Sequence, residues 1–135
     1  MYKDILVPIS VVNAADAARA LQVAEKLRTH DGTITVMHVI EQIPEHVRFS
    51  LPSSHFGETK ENVRVQLENL VGSMANVRID VIDGHSGRAI LDHAKKNKAD
   101  CIVVGSHRPG LEDYFLGSTA AHVVRHAICS VHVVR

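Results

Sequence analysis

Short runs rich in valine and isoleucine alternate along the chain with segments in which apolar residues recur every three or four positions. The runs cover residues 5–9, 33–40, 77–82, 102–104 and 131–134. Runs of this length and composition predict β-strands. The first and fourth runs are almost continuously apolar, which indicates strands covered on both faces. The second and third runs alternate polar and apolar residues, which favours positions nearer a sheet edge.

The segments between these strands have the spacing of amphipathic helices. Their apolar positions are Ala17, Leu21, Ala24 and Leu27; Val63, Leu67, Leu70 and Met74; Ile90, Leu91 and Ala94; and Ala120, Val123, Val124 and Ala127. Asn13, Ser86 and Ser118 are candidate N-caps. Alternating strands and helices imply parallel strands with right-handed crossovers. The predicted fold class is therefore α/β, a doubly wound five-stranded parallel sheet with helices on both faces, in a single domain of residues 1–135.

Composition narrows the classes of partner. Lys plus Arg and Asp plus Glu number 15 each, aromatic residues make up 4% and Trp is absent, so nothing favours nucleic acid or an anionic membrane. The apolar runs are far shorter than the roughly 20 residues of a membrane helix, and the N-terminus does not resemble a secretory leader. We expect a cytoplasmic protein without nucleic-acid or membrane partners. Cys101 and Cys129 are expected to be buried thiols inside strands.

A segment rich in glycine, serine and cationic residues lies between the fourth strand and the last helix, at residues 105–119. Glycine lets the backbone approach an anion closely, and the first N–H groups of a helix have no internal partner. In an open parallel sheet, ligands bind outside the carboxyl ends of the strands, where the strand order reverses. We therefore expect a nucleotide phosphate at this segment, close to Pro8, Ile9 and Ser10 after strand 1 and to Val39 in strand 2.

Several short motifs resemble the universal stress protein family. They are Ile5-Leu6-Val7-Pro8, His38-Val39-Ile40, the turn at Gly84, Ala99-Asp100, Gly105-Ser106-His107, Leu116-Gly117-Ser118-Thr119, Val124-Arg125-His126-Ala127 and Cys129-Ser130-Val131-His132-Val133-Val134. Each motif is weak alone, but their order and spacing along the whole chain are specific. The resemblance implies an α/β fold of the adenine-nucleotide-binding type with strand order 3-2-1-4-5, a homodimer and, in one branch of the family, ATP binding.

The ATP-binding branch carries a Gly-x2-Gly-x9-Gly-Ser/Thr pattern that this chain meets in part. Gly105 matches the first glycine, and Gly117 and Ser118 match the last pair. Arg108 stands at the second glycine, Gly110 follows two residues later, and the loop is one residue shorter. The Ser-His-Arg-Pro sequence at this point resembles a shorter-loop subgroup of the family.

The candidate residues have functional and structural interpretations. Val39 would meet the adenine, or be an ordinary core residue at a strand end. Ser10 replaces an aspartate that the family often has, and its hydroxyl would bind ribose. Ser118 and Thr119 would bind phosphate, although Ser118 also suits a helix cap. Arg108 would pair with phosphate through its planar fork, or point to water.

The sequence lacks the motifs of rapid catalysis. It has no Gly-x4-Gly-Lys-Ser/Thr, Gly-x-Ser-x-Gly or His-Glu-x-x-His segment. His107 fits a loop histidine better than a catalytic base. We expect a regulatory module that binds ATP, ADP or AMP, with or without Mg²⁺, and at most hydrolyses ATP or phosphorylates itself slowly. The alternative is a dimeric module of the same fold that binds no nucleotide and acts through protein partners.

Two surface features complete the sequence-based expectations. The apolar last strand, Ser130 to Val134, is an expected sheet edge, and exposed edges favour strand addition from a second copy. We therefore expect a homodimer through this strand. Residues 41–57 form a long loop that either covers the site or faces solvent.

Overall fold

The computed structural model describes residues 1–11, 14–41, 59–106 and 116–135. In these residues strands and helices alternate in the order β1 (Tyr2–Pro8), α1 (Ala14–Leu27), β2 (Arg28–Ile40), α2 (Lys60–Val71), β3 (Val77–Asp83), α3 (Ser86–Lys96), β4 (Cys101–Gly105), α4 (Ser118–His126) and β5 (Ser130–Val134). The strands form one parallel sheet in the order β3-β2-β1-β4-β5. The predicted fold class and strand order are confirmed.

The sheet carries a separate apolar core on each face. Ile5 and Val7 of β1 pack with α1 and α2, whereas Leu6 packs with α3 and α4. All three side chains are at most 1% exposed. Because successive side chains of a strand point to opposite faces, β1 is covered on both sides, as its continuous apolar run predicted.

β2 begins at Arg28, earlier than the apolar pattern predicted. Its pairing with β1 shifts register between Tyr2 and Asp4, so the ladder is irregular there. Gly32 lies in this irregular stretch, where an added Cβ would come within 2.7 Å of the Arg28 side chain. Glycine is needed there because the backbone at residue 32 lies against the side chains of Arg28 and Thr29, which leave no room for a Cβ.

α2 ends earlier than its apolar spacing predicted. Thr59 caps its start by accepting a hydrogen bond from the Asn62 N–H at 3.1 Å. Gly72 ends the helix with a positive φ of 59°, a conformation that glycine adopts without strain. Met74 therefore lies beyond the helix, although it still packs on the core. Asn13, the predicted cap of α1, lies outside the described residues.

Both cysteines are free thiols. Cys101 in β4 is fully buried, and burial, with smaller contributions from Cys129 and Asp100, raises the pKa of its thiol to about 11. Burial also raises the pKa of Cys129. Cys129 is half-buried and precedes β5, so its predicted place inside a strand was wrong. Raised pKa values keep both thiols protonated and therefore weak nucleophiles at neutral pH.

No helix among the described residues combines the length and hydropathy needed to span a membrane.

Candidate functional site

The sheet opens between the carboxyl ends of β1 and β4. β1 pairs with β2 as far as Pro8, and β4 pairs with β5 as far as Gly105. The ladder between β1 and β4, in contrast, ends at Leu6 and Ile102. These two strands flank the point at which the strand order reverses, where open α/β sheets bind ligands. The gap therefore lies where the sequence placed the site.

The β1 side of the gap is held by hydrogen bonds to β2. The N–H of Ile9 donates to the Met37 carbonyl at 2.8 Å, and the Ile9 carbonyl lies 2.8 Å from His38 Nδ1. Ile9 is buried, whereas the next residue, Ser10, is exposed. The chain thus leaves the sheet at a fixed point and presents Ser10 at its surface.

Val39 lies at the end of β2 on the face covered by α3 and α4. It is half-buried and packs against the core of that face. This packing is compatible with an ordinary core residue at a strand end, and its contact with adenine stays a prediction.

The β4 side of the gap is joined directly to the start of α4. Ser106 is buried, its N–H donates to the Val134 carbonyl at 2.9 Å, and its own carbonyl accepts from the Gly117 N–H at 3.3 Å. The last bond brings both ends of the intervening segment together at the strand end. A Cβ added to Gly105 would meet no described atom within 4 Å, so the space beside this glycine is open in the part of the chain that the structure describes.

α4 begins without a side-chain cap from its own N-cap residue. Gly117 occupies the N-cap position with φ −61° and ψ 158°, and Ser118 is the first helical residue. The prediction that Ser118 caps this helix was therefore wrong. Ser118 is exposed and Thr119 is half-buried. Because glycine has no side-chain acceptor, it leaves the first N–H groups of α4 to other partners.

α3 starts at the same edge of the sheet but is capped by side chains. The Glu41 carboxylate accepts from Ser86 N–H at 3.2 Å and from Ser86 Oγ at 2.7 Å. The bond from the Ser86 hydroxyl holds the pKa of Glu41 below its usual range. His85 is the N-cap, and its Nδ1 accepts from the Arg88 N–H at 3.5 Å, so the prediction of Ser86 as the cap was wrong.

Three histidines gather beside the start of α3. The rings of His85 and His122 meet edge to face with centroids 6.5 Å apart, and His122 lies 4.6 Å from His126. Within the described ranges, no group of three or more His, Cys, Asp or Glu side chains is arranged to hold a metal ion.

The whole length of the chain is similar to known proteins. The model of the Universal stress protein family matches residues 1–135. The chain belongs to the universal stress protein family. Universal stress protein G of Salmonella typhimurium is 31% identical over 143 residues that span both chains completely. The structure of the universal stress protein UspA from Lactobacillus plantarum has a TM-score of 0.71 and 27% identity, covering 99% of this chain and 98% of that chain.

Two solved members of the family contain an adenine nucleotide. The universal stress protein from Archaeoglobus fulgidus in complex with dAMP has a TM-score of 0.69 and 20% identity, covering 99% of this chain and 98% of that chain. A universal stress protein in complex with cAMP has a TM-score of 0.65 and 18% identity, covering 99% and 97%. At these identities the likeness establishes a common fold.

Family motifs in this chain serve the scaffold as well as the candidate site. The Asp100 carboxylate accepts from the backbone N–H groups of Lys3 and Asp4 at 2.9 and 3.0 Å. It therefore fastens β4 to β1 at the amino end of the sheet, far from the gap. Ala99-Asp100 is a motif that the sequence could identify but not explain.

Some of the predicted binding residues in the segment 105–119 are not described by the structure. His107, Arg108 and Gly110 lie outside the described residues, as do residues 42–57 of the long loop. Their roles stay predictions.

His38 is a residue that the sequence analysis did not single out for the site. The sequence pattern could have identified it. Side chains two residues apart in a strand point to the same face, so His38 lies on the same face of β2 as the buried Ile34 and Val36. A polar side chain at a buried position needs a hydrogen-bond partner. What the sequence lacked was the identity of that partner.

Proposed function

We propose that this member of the universal stress protein family binds an adenine nucleotide (ATP, ADP or AMP) at the gap between β1 and β4, as a regulatory module. The observation that carries the proposal is the start of α4. Its N-cap, Gly117, has no side chain and donates its N–H to the carbonyl of Ser106, the residue after Gly105. A Cβ on Gly105 would meet no atom of the described residues within 4 Å. A helix N-terminus in this state favours an anion through its N–H groups and its dipole.

Each part of the nucleotide has a candidate partner along the gap. Adenine would lie towards Val39, and ribose would bind the Ser10 hydroxyl beside Pro8 and Ile9. The phosphates would bind the backbone at Gly105 and the start of α4, with the hydroxyl groups of Ser118 and Thr119 as further donors. The complexes of relatives with dAMP and cAMP support an adenine ligand.

The segment between Gly105 and Gly117 would complete the phosphate site. Arg108 would pair with phosphate oxygens through its guanidinium group, and Gly110 and His107 would lie beside it. Mg²⁺, where present, would be held chiefly by the phosphates. The proposed contacts are donors rather than an aligned base, so binding is proposed, with slow hydrolysis or self-phosphorylation as the upper limit.

The test begins with the purified protein. It is denatured to identify co-purified nucleotide, and the apo protein is then titrated with ATP, ADP and AMP with and without Mg²⁺. Gly117→Asp should weaken ATP binding at least about 100-fold, because it puts a carboxylate against the phosphates. The same change should leave thermal stability unchanged or slightly higher, because Asp is a good N-cap.

Gly117→Asn is the matched control, since it has nearly the same shape without the charge. It should lose much less affinity than Gly117→Asp. Absence of wild-type binding at millimolar nucleotide would overturn the proposed function.

A second function, homodimerisation through β5, is supported by the exposed surface beside that strand. β5 lies at the edge of the sheet, and Ile128, just before it, is 84% exposed, with Val124 of α4 also exposed. Pairing of β5 with its copy would satisfy the edge and cover these side chains. If the protein bound no nucleotide, this surface would hold together the alternative proposed above, a dimer that acts through protein partners.

Solution mass across a concentration series tests the dimer. Ile128→Lys should shift the mass towards the monomer, while Val65→Lys, at an exposed valine of α2, should not. A wild-type monomer at every concentration would contradict this proposal.

A further inference from the structure

His38 is a polar side chain in the apolar interior. Among the described residues, the polar residues that are buried as a whole are His38 and Ser106. The two-residue period of β2 places His38 on the same face as Ile34 and Val36, towards α1 and α2. Burying an imidazole costs free energy unless its polar atoms are hydrogen-bonded. The hydrogen bond between His38 Nδ1 and the Ile9 carbonyl, at 2.8 Å, offsets part of this cost.

The chemistry of this contact fixes the tautomer. A carbonyl oxygen only accepts, so Nδ1 of His38 must carry a hydrogen and donate it. The Ile9 carbonyl lies just beyond the last residue of β1, where the strand ladder with β2 has ended at Pro8. The hydrogen bond from the His38 side chain therefore connects β2 to the peptide group between Ile9 and Ser10, one peptide group beyond the last backbone hydrogen bond of Ile9.

That peptide group leads directly into Ser10. The carbonyl of Ile9 and the N–H of Ser10 belong to the same planar unit, so fixing one orients the other and sets where the Ser10 Cα lies. His38 is also the residue before Val39. The buried side chain of His38 thus connects two parts of the proposed site. One is the residue after β1, Ser10, with its proposed ribose contact, and the other is the end of β2, Val39, with its proposed adenine contact.

We infer that His38 is a positioning residue for the nucleotide site and acts through the Ile9 carbonyl on Ser10. The inference rests on the proposed function for its ligand and on the His38–Ile9 hydrogen bond for its geometry. His38 does not touch the nucleotide. It sets the distance between the adenine and ribose contacts before the ligand arrives, which lowers the cost of ordering on binding.

The experiment compares two replacements of similar size. His38→Asn keeps an N–H on the atom attached to Cγ, in the place of Nδ1, whereas His38→Leu removes the donor. At a temperature where all variants are folded, His38→Leu should bind ATP about tenfold more weakly, and His38→Asn should stay within about threefold of the wild type. His93→Leu is the control, because it removes another histidine hydrogen bond, to Asp80 at 2.7 Å, away from the gap. It should lower thermal stability and leave ATP affinity unchanged.

A double-mutant cycle separates positioning from general destabilisation. If His38 acts through Ser10, the loss caused by His38→Leu should shrink to less than about threefold when Ser10 is already Ala. Equal losses in both backgrounds would overturn the inference even though the protein binds nucleotide.

Amide hydrogen exchange tests the geometry without ligand. His38→Leu should speed exchange of the Ile9 amide, which donates to Met37, and His38→Asn should not. Unchanged exchange in His38→Leu would sink the inference whether or not the protein binds nucleotide. Faster exchange together with no wild-type binding would contradict the proposed function alone, and it would leave the His38 contact as the support of Ser10.

Discussion

Two helices, α3 and α4, begin at the carboxyl edge of the same sheet, and their N-termini are satisfied in different ways. The start of α3 receives a carboxylate from Glu41 and an imidazole nitrogen from His85. The start of α4 has Gly117 as its cap and receives no side chain from it. Both ends carry the same partial positive charge. At α3 the protein supplies the acceptors itself, whereas at α4 the N-cap residue supplies no side-chain acceptor, which is why the proposed anion is placed there.

The two glycines near these helix starts show the same contrast. A Cβ on Gly87 of α3 would lie 2.7 Å from Cδ2 and 3.1 Å from Cγ of His122. A Cβ on Gly105, near α4, would meet no described atom within 4 Å. Packing explains the first glycine and does not explain the second. The α3 side of the edge is therefore explained by packing, and the α4 side is where the proposed nucleotide would bind.

Gly87→Ala should have the largest effect on stability. The added methyl group would displace the His122 side chain from its place against α3, and overpacking of this kind costs about 1–3 kcal/mol. Urea denaturation should show this loss, while ATP affinity measured on the folded protein stays unchanged. Adding His122→Ala should restore most of the stability by making room. No recovery in the double variant would show that the contact with His122 is not the cause.

Gly105→Ala should have the opposite profile. The methyl group would enter the space proposed for the nucleotide and weaken ATP binding about tenfold, equivalent to about 1.4 kcal/mol. The free energy of unfolding should stay within about 0.5 kcal/mol or rise, because alanine restricts the unfolded chain. Calorimetric titration and urea denaturation measure the two quantities. Unchanged ATP affinity in Gly105→Ala would contradict the proposal that Gly105, unlike Gly87, leaves space for the nucleotide.

Glu41→Gln should have the smallest effect. The carboxylate is largely exposed, so its loss from the start of α3 should cost about 0.5 kcal/mol at pH 7, near the lower end for a capping bond. Because the folded state lowers the Glu41 pKa below 4.5, this stabilisation is present above pH 4.5 and is lost as the pH falls through the lower folded value. Denaturation curves from pH 7 to 3 should converge for the two proteins. A constant difference would mean that charge is not responsible.

The elements and strand order of this fold could be predicted because they depend on local patterns and on a family resemblance. Apolar runs located every strand that the structure describes, and helical spacing located the described helices. The caps could not be assigned in the same way. Ser86 and Ser118 have the right side chains, but the backbone places His85 and Gly117 at the cap positions instead.

Contacts between distant residues were also beyond the sequence. The extension of β2 back to Arg28 depends on pairing with Tyr2 across a shift in register, and the residues concerned show no apolar alternation. The carboxylate of Glu41 reaches Ser86 because the ends of β2 and β3 lie side by side. The candidate site was located by topology, whereas its supports, His38 above all, required the structure.

The hydrogen bond between the Gly117 N–H and the Ser106 carbonyl also has a consequence for how this protein can change over time. It fixes two chain positions that are eleven residues apart in sequence at 3.3 Å between nitrogen and oxygen. An insert between such anchored ends can gain or lose residues at an entropic cost that grows only with the logarithm of its length. Evolution, or an engineer splicing in a new peptide, can therefore vary the insert while the sheet keeps the helix start in place.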